Sequence, residues 1–315
     1  MSGGDIRTFS DPDRYAAGFG GVRLNLTITA AGDFKARLTH LKLQHLEIYR
    51  CHENLPRIAH ISLPPDRIAL SFPLGKALPI LDGFAFRNGD IALHDRGRRL
   101  HQRTPADCQW GLMLLSPAQL ARYSETLIGQ PLLPAQASRI LHPPGPEATR
   151  FRGLYRDACD LAEAGNKLIE HDEVANALEH DMLHAIVHCL TANDADDNSR
   201  TRHHHAAIMA RFEDVLNRRA DQKLTMPDLC SEVGVPERTL RMCCAEFLGV
   251  SPTRYILLQR LNKARSALRR ADPSTASVAE VARNHQFLEL GRFAVTYRAT
   301  FGESPSTTLQ RDPQT

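Results

Sequence analysis

Two kinds of side chain in this sequence stand at spacings that could do chemistry. The first is arginine. Arg238 and Arg241 lie three apart on a stretch that reads as a helix, and share its outward face with Glu237, Met242 and Ala245. A guanidinium can donate two parallel hydrogen bonds to the O6 and N7 of guanine, a contact worth about 1–3 kcal/mol of discrimination. Arg238 and Arg241 are therefore the leading base readers, while Met242 offers only apolar contact, such as to a thymine methyl. Some fifty residues on, a second such face holds Glu289, Leu290, Gly291, Arg292, Val295 and Thr296. Arg292 is its one strong donor, with Thr296 and Glu289 behind it. That face is expected mainly to contact backbone or read shape, and Arg298 to hold a phosphate. The second kind is histidine. His180, His184 and His188 are spaced four apart, which suits zinc if further ligands join, and His203, His204 and His205 run consecutively. No Cys or carboxylate partner is evident. The first set reads as a solvated face and the second as a polar hinge, and no metal is expected.

The elements that must position the arginines are a repeated pair. Leu224 to Pro252 and Ser277 to Pro305 follow one plan, at an offset of 52 from Leu229 to Val281 and of 53 from Gly249 to Gly302. Each reads as a short helix, a tight turn and a longer helix. In the first unit Thr225 caps, Pro227 sits in the first turn, Leu229 and Val233 face inward, and Gly234 suits the turn. Leu240, Cys243 or Cys244, and Phe247 face inward at three-to-four spacing, and Gly249 stops the helix. This is a helix-turn-helix pattern, and two copies make it specific. The connecting helix, Pro252 to Arg270, carries the stripe Tyr255, Leu258, Leu261, Ala264 or Arg265, and Leu268, and the cations Arg254, Arg260, Lys263, Arg269 and Arg270. It spans roughly 28 Å. Such a rod can hold two recognition helices about one DNA turn apart, roughly 34 Å.

On these residues, with F-L-G-V-S-P answered by T-F-G-E-S-P, residues 206 to 310 resemble the DNA-binding domain of AraC/XylS-type transcriptional regulators. The resemblance implies a regulator that binds double-stranded DNA, commonly as a homodimer. It implies a small-molecule effector bound in the N-terminal domain and, if the protein activates, contact with RNA polymerase. By the same match, Met242 stands where a base-contacting Arg is frequent. Gln286 stands where the second turn usually has Gly, Cys230 where Ala is usual, and Cys244 where an aromatic is usual. Gln286 must therefore make the turn without the freedom of glycine.

Length and composition fit this frame. The chain has 315 residues, 42% of them hydrophobic, which favours two domains with ordinary cores. Its formal net charge is +3, but residues 201 to 315 hold 17 Lys and Arg against 12 Asp and Glu, which suits a polyanion. Seven cysteines without a C-x-x-C pair point to reduced thiols. No run approaches the ~18–20 apolar residues of a membrane span, and the start, M-S-G-G-D-I-R-T, has no signal-peptide core, so a cytoplasmic, nucleoid-associated protein is expected.

Residues 1 to about 25 read as an irregular lead-in, and about 23–115 as β structure. Strands are predicted at Arg37–Leu43, Arg57–Leu63, Ile68–Phe72, Ile91–His94 and Gln109–Leu115, with hairpin signals at Asp82-Gly83 and Asn88-Gly89. Helices follow at Ala118–Ile128, Glu147–Glu163 and Glu173–Leu190, with a proline-rich connector at Leu133–Gly145. The last two helices are candidates for a dimer contact or for packing on their own β domain. The fold class is thus an α+β N-terminal domain, an antiparallel sandwich or barrel with helices (1–192), a linker (193–205) and an all-α domain with two helix-turn-helix units (206–310).

Gly89 to His101 resembles the second motif of the cupin barrel, with Asp95 at a usual Pro, and cupin-like sensors are frequent in AraC-type regulators. No His-x-His partner motif lies upstream, so His94 and His101 read as core or surface residues. Arg57, Phe72, Phe84, Phe86 and Trp110 could line an effector pocket or simply fill the core. No cofactor and no enzyme activity are expected; serine-hydrolase, P-loop and dinucleotide motifs are missing. Two alternatives remain. One is a cupin-type enzyme using iron, zinc or manganese fused to a DNA-binding domain. The other is a DNA-binding protein without an effector.

Overall fold

The computed structural model describes residues 3–132, 138–165, 169, 171–191, 199–220, 222 and 224–311. Its N-terminal half is a sandwich of two antiparallel sheets. The larger has the order β1 (Gly3–Phe9), β3 (Ala36–Lys42), β4 (Leu46–Glu53), β11 (Cys108–Leu115), β6 (Ile68–Pro73), β9 (Ile91–His94) and β12 (Arg139–Leu141). The smaller has the order β2 (Arg23–Ile28), β5 (Arg57–Ser62), β10 (Arg99–Thr104), β7 (Ile80–Leu81) and β8 (Phe84–Ala85). Each predicted strand is present. Asp82 and Gly83, both at positive φ, turn β7 back on β8 as expected of an Asp-Gly hairpin. Asn88-Gly89 does not close a hairpin: β8 and β9 belong to different sheets, so that turn carries the chain across the sandwich.

The lead-in is structured, contrary to expectation. β1 pairs with β3 along the edge of the larger sheet, and α1 (Pro12–Ala16) follows, its first turn capped by the Asp11 carboxylate. β1 escapes an alternation search because it is a mostly exposed edge strand with polar residues on both faces. The proline-rich connector likewise holds β12; residues 133–137 of it lie outside the described residues.

Strand alternation sends side chains two ways. Outward from the larger sheet, Phe72 meets Phe151 at 4.9 Å and Tyr155 at 4.8 Å between ring centroids. Both belong to α3 (Gly145–Glu163), which with α2 (Pro117–Ile128) and α4 (Asp172–Thr191) covers that face. Phe72 therefore stands on the opposite side of the sheet from Trp110, so the two cannot line one pocket. α3 packs on its own sheet, and α4 packs on α3 and α2. None of the large apolar side chains exposed among the described residues lies on either helix.

Inward, the sandwich closes on Glu53, which is fully buried. Its Oε1 accepts from the Tyr15 hydroxyl (2.8 Å), Trp110 Nε1 (3.2 Å) and Arg57 Nη2 (2.9 Å). Its Oε2 accepts from Arg57 Nε (2.8 Å) and Thr104 Oγ1 (3.2 Å). Arg57 also donates to the Gln102 side chain (2.7 Å), and its guanidinium lies 5.6 Å from the Trp110 ring centroid. Arg57 and Trp110 are thus committed to a closed ion-pair network. The pocket between the sheets beside Trp110 and His94 measures about 10 Å3, too little for a small molecule.

The C-terminal half is helical: α5 (Ser199–Arg218), α6 (Met226–Val233), α7 (Glu237–Leu248), α8 (Pro252–Arg270), α9 (Val278–Asn284), α10 (Leu290–Phe301) and α11 (Pro305–Leu309). Of the expected linker, residues 193–198 lie outside the described residues. Residues 199–205 are the first turns of α5, so the His203–His205 run is helical rather than a hinge. The seven cysteines are unpaired. No helix among the described residues is long and apolar enough to cross a membrane.

Candidate nucleic-acid interface

α6 and α7 form the first unit as the local sequence dictates. Thr225 and Asp228 cap α6 reciprocally, and Gly234 at φ 73 makes the turn. Leu240, Cys243, Cys244 and Phe247 are buried, so the two cysteines fill the core as small apolar residues. This fixes the rotation of α7 and leaves Glu237, Arg238, Arg241, Met242 and Ala245 exposed together. Arg241 is not free: its Nη2 lies 2.6 Å from Glu237 Oε1, one turn away. Arg238 has no ion-pair partner among the described residues and is the readier donor.

The second unit solves its missing glycine with another helix. Gln286 takes φ 65, a conformation that costs a non-glycine residue about 1–3 kcal/mol. Arg260 of α8 offsets this. Its Nε and Nη2 donate to the His285 carbonyl at 3.1 and 3.0 Å, its Nη2 also donates to the Gln286 carbonyl, and its guanidinium stands 4.6 Å over the Phe287 ring. Gln286 Nε2 donates to the Ala220 carbonyl at 2.9 Å, tying the turn to the end of α5. Phe293, Tyr297 and Phe301 then bury one face of α10. Glu289, Gly291, Arg292, Val295 and Arg298 remain exposed, with Leu290 and Thr296 partly covered. The Thr296 hydroxyl donates back to the Arg292 carbonyl at 2.8 Å, which occupies it.

The cations of α8 were expected as part of a basic rod. They are largely engaged within the protein. Arg265 pairs with Glu303 at 2.7 Å, Arg269 with Asp11 at 3.1 Å and Arg270 with Asp13 at 2.6 Å. The last two contacts join the halves of the chain, as do others. The Asn262 amide accepts from Ile28 N (2.9 Å) and donates to Ile28 O (3.1 Å) at the end of β2. Arg99 pairs with Asp214, and Arg103 Nη2 donates to the Glu246 carbonyl at 3.2 Å. At the centre Glu213 of α5, 2% exposed, accepts from His101 Nε2 and from the Tyr255 hydroxyl, each at 2.8 Å. His60 stacks on His101 at 5.1 Å. Burial raises the Glu213 carboxyl, but the bond from His101 and the nearness of both histidines outweigh it and hold the group below its usual range. The seam thus engages α5, the far side of α7 and the length of α8. It leaves the exposed faces of α7 and α10 bare.

The histidines do not converge on a metal. Among the described residues no three His, Cys, Asp or Glu side chains are grouped to hold one. His180 and His188 are exposed, His101 serves the seam, and His94 is buried between Ser71 (2.9 Å) and Ser138 (3.1 Å). Of the effector candidates, Phe86 is buried core and Phe84 stacks with Arg202 of α5 at 5.2 Å, so the five residues form no common pocket. Burial, with a lesser push from Arg98, drives the His94 imidazole down to about 3. An unfolded His94 takes up a proton below about 6.5, while the folded one does not until about 3. Acidification therefore favours the unfolded state across that window. We expect wild type to lose about 2 kcal/mol more stability between pH 7 and pH 5 than a His94→Gln variant. Equal losses in urea melts at the two pH values would refute the assignment.

Residues 229–311 match the family model described as a helix-turn-helix domain. The chain is 42% identical over 100 residues to the probable thc operon regulatory protein of Rhodococcus erythropolis, covering 32% of this chain and 30% of that protein. It is 35% identical over 88 residues to XylDLEGF operon transcriptional activator 2 of Pseudomonas putida, covering 28% and 56%. The chain thus spans 30% and 56% of the lengths of these two relatives. A solved structure of the AraC-like transcriptional activator CuxR aligns over 81% of this chain and 94% of that one, with 16% identity and a TM-score of 0.44.

Proposed function

We propose, from the premise that residues 229–311 form a helix-turn-helix domain of the AraC/XylS type, that this chain is a sequence-specific transcription regulator of double-stranded DNA. The observation that carries the reading is the pair of outward helix faces on α7 and α10. They are joined by the 19-residue α8 and left uncovered although the β sandwich is docked against the same domain. In this reading Arg238 and Arg241 read bases, Glu237 and Met242 flank them, Arg292 and Glu289 serve the second half-site with Thr296, and Arg298 holds phosphate.

The N-terminal sandwich is the control element. Its pocket beside Trp110 is too small for a ligand, and a small-molecule effector acts by changing the seam. A cleft of about 510 Å3 lies along that seam between α1, β2 and α8. A ligand there shifts the protein only as far as it binds the docked and undocked arrangements unequally. A homodimer in the cytoplasm, contacting RNA polymerase when it activates, completes the proposal.

The test is selection from fragmented genomic DNA by the full-length protein at two salt concentrations. The expected result is a shared site of two short blocks about one helical turn apart. Arg238→Ala should weaken that site by about 5- to 150-fold, the equivalent of about 1–3 kcal/mol, and relax one position of the first block. Uniformly weak binding with a steep salt loss and no shared sequence would sink the reading.

A further inference from the structure

Among the described residues four large apolar side chains are exposed: Ile6, Met242, Leu288 and Val295. Three of the four stand on or beside the two uncovered helix faces. Leu288 is 83% exposed and Val295 72%. Val295 lies in the second turn of α10, and Leu288 stands just before that helix, ahead of its N-cap Glu289. Gly291 lies one turn before Val295 on the same face of α10. It sits in the first turn of the helix, where glycine is less stable than alanine. Nothing in the chain asks for it: its φ is not positive, and an added Cβ would meet no atom within 4 Å. That face therefore carries no side chain at residue 291 and an apolar one at Val295, with Leu288 exposed ahead of the helix and the exposed guanidiniums of Arg292 and Arg298 beside it.

We propose that α10 reads thymine methyl groups in the major groove, with Leu288 and Val295 as the contacting side chains and Gly291 as the point of close approach. This deepens the DNA-binding reading above and rests on it. The C5 methyl of thymine is the apolar feature that a base pair offers in that groove, so a face without free amide or hydroxyl donors can still discriminate there. The arginines beside the face supply the charge complement to the flanking phosphates and commit the surface to DNA. The absent Cβ at residue 291 lets the helix backbone sit deeper against the base edges. The two units then read different chemistry. The α7 block takes guanine through arginine, and the α10 block takes thymine through apolar contact.

The test uses the full-length protein and the duplex selected above, with each thymine of the α10 block replaced in turn by deoxyuridine. That change removes the methyl and keeps every hydrogen-bonding group. Loss of one buried methyl contact should weaken binding by about fourfold at one or two of these positions. Val295→Ala and Leu288→Ala should each abolish the thymine preference at its own position and leave the guanine dependence of the other block intact. Gly291→Leu should lower affinity more than tenfold, with unchanged circular dichroism. Equal binding of thymine and deoxyuridine duplexes by wild type would overturn the inference, and so would an unchanged preference in both alanine variants. Those results leave the DNA-binding reading standing. If no shared duplex is selected at all, that reading fails first, and this inference with it.

Discussion

Glu53→Ala should cost the N-terminal domain about 3–5 kcal/mol. The carboxylate is fully buried and accepts five hydrogen bonds from four residues, two of them from the Arg57 guanidinium. Removing it leaves a buried cation whose other partners are the side chain and backbone carbonyl of Gln102, and it strips Tyr15 and Trp110 of their acceptor. The loss belongs to the broken network rather than to charge as such. Replacing both partners, as in Glu53→Leu with Arg57→Met, should therefore recover part of the stability lost in the single variant. The protein offers its own reporter, because Trp110 is its one tryptophan and lies against Arg57. Denaturant unfolding followed by its fluorescence checks the value. A loss under 1 kcal/mol, or a double variant weaker than Glu53→Ala, would contradict the account.

Glu213→Ala should open the seam between the two halves, at a cost of about 2–6 kcal/mol. Three elements meet at this carboxylate: β10 through His101, α8 through Tyr255, and α5, which carries it. His60 of β5 closes the stack from the other side. A buried donor that loses its acceptor costs about 1–3 kcal/mol, and here there are two donors. Around this centre the Arg99–Asp214, Arg269–Asp11 and Arg270–Asp13 pairs are more exposed and individually weak. Hydrogen exchange is the measurement. Protection should fall over residues 57–62, 99–104 and the inner face of α8, and hold over β3 and β4. A uniform fall would mean general unfolding, and no fall would mean that Glu213 does not latch the seam. If the seam transmits an effector signal, the same variant should bind its DNA site independently of effector.

The helix-turn-helix units were legible in sequence because every device that makes them is local. Thr225 caps three residues ahead of Asp228, Gly234 and Gly249 stop helices, and the buried positions recur at three and four. The strands were legible where alternation was clean, as at Arg57–Ser62. Sheet membership was not, because pairing is non-local: nothing near Asn88-Gly89 says that β8 and β9 part company. The seam was hidden for the same reason. Arg269 and Asp11 stand 258 residues apart, and the lead-in that supplies the acid is a polar edge strand followed by a five-residue helix. One signal was available: Asp11 directly before Pro12 is the signature of a capped helix start. The exposed apolar pair on α10 was half legible. Val295 was read on the outward face, but Leu288 precedes the helix, and its exposure follows from how Phe287 and Phe293 turn inward together at 4.7 Å.

The turn at Gln286 also couples two distant positions of the chain. A glycine there would stand without help, whereas glutamine stands because Arg260 holds its carbonyl from a helix 26 residues earlier. The two positions are therefore energetically coupled. Loss of Arg260 alone leaves a strained turn, while Gln286→Gly would free Arg260 to vary. The two units, alike in plan, are therefore not interchangeable parts.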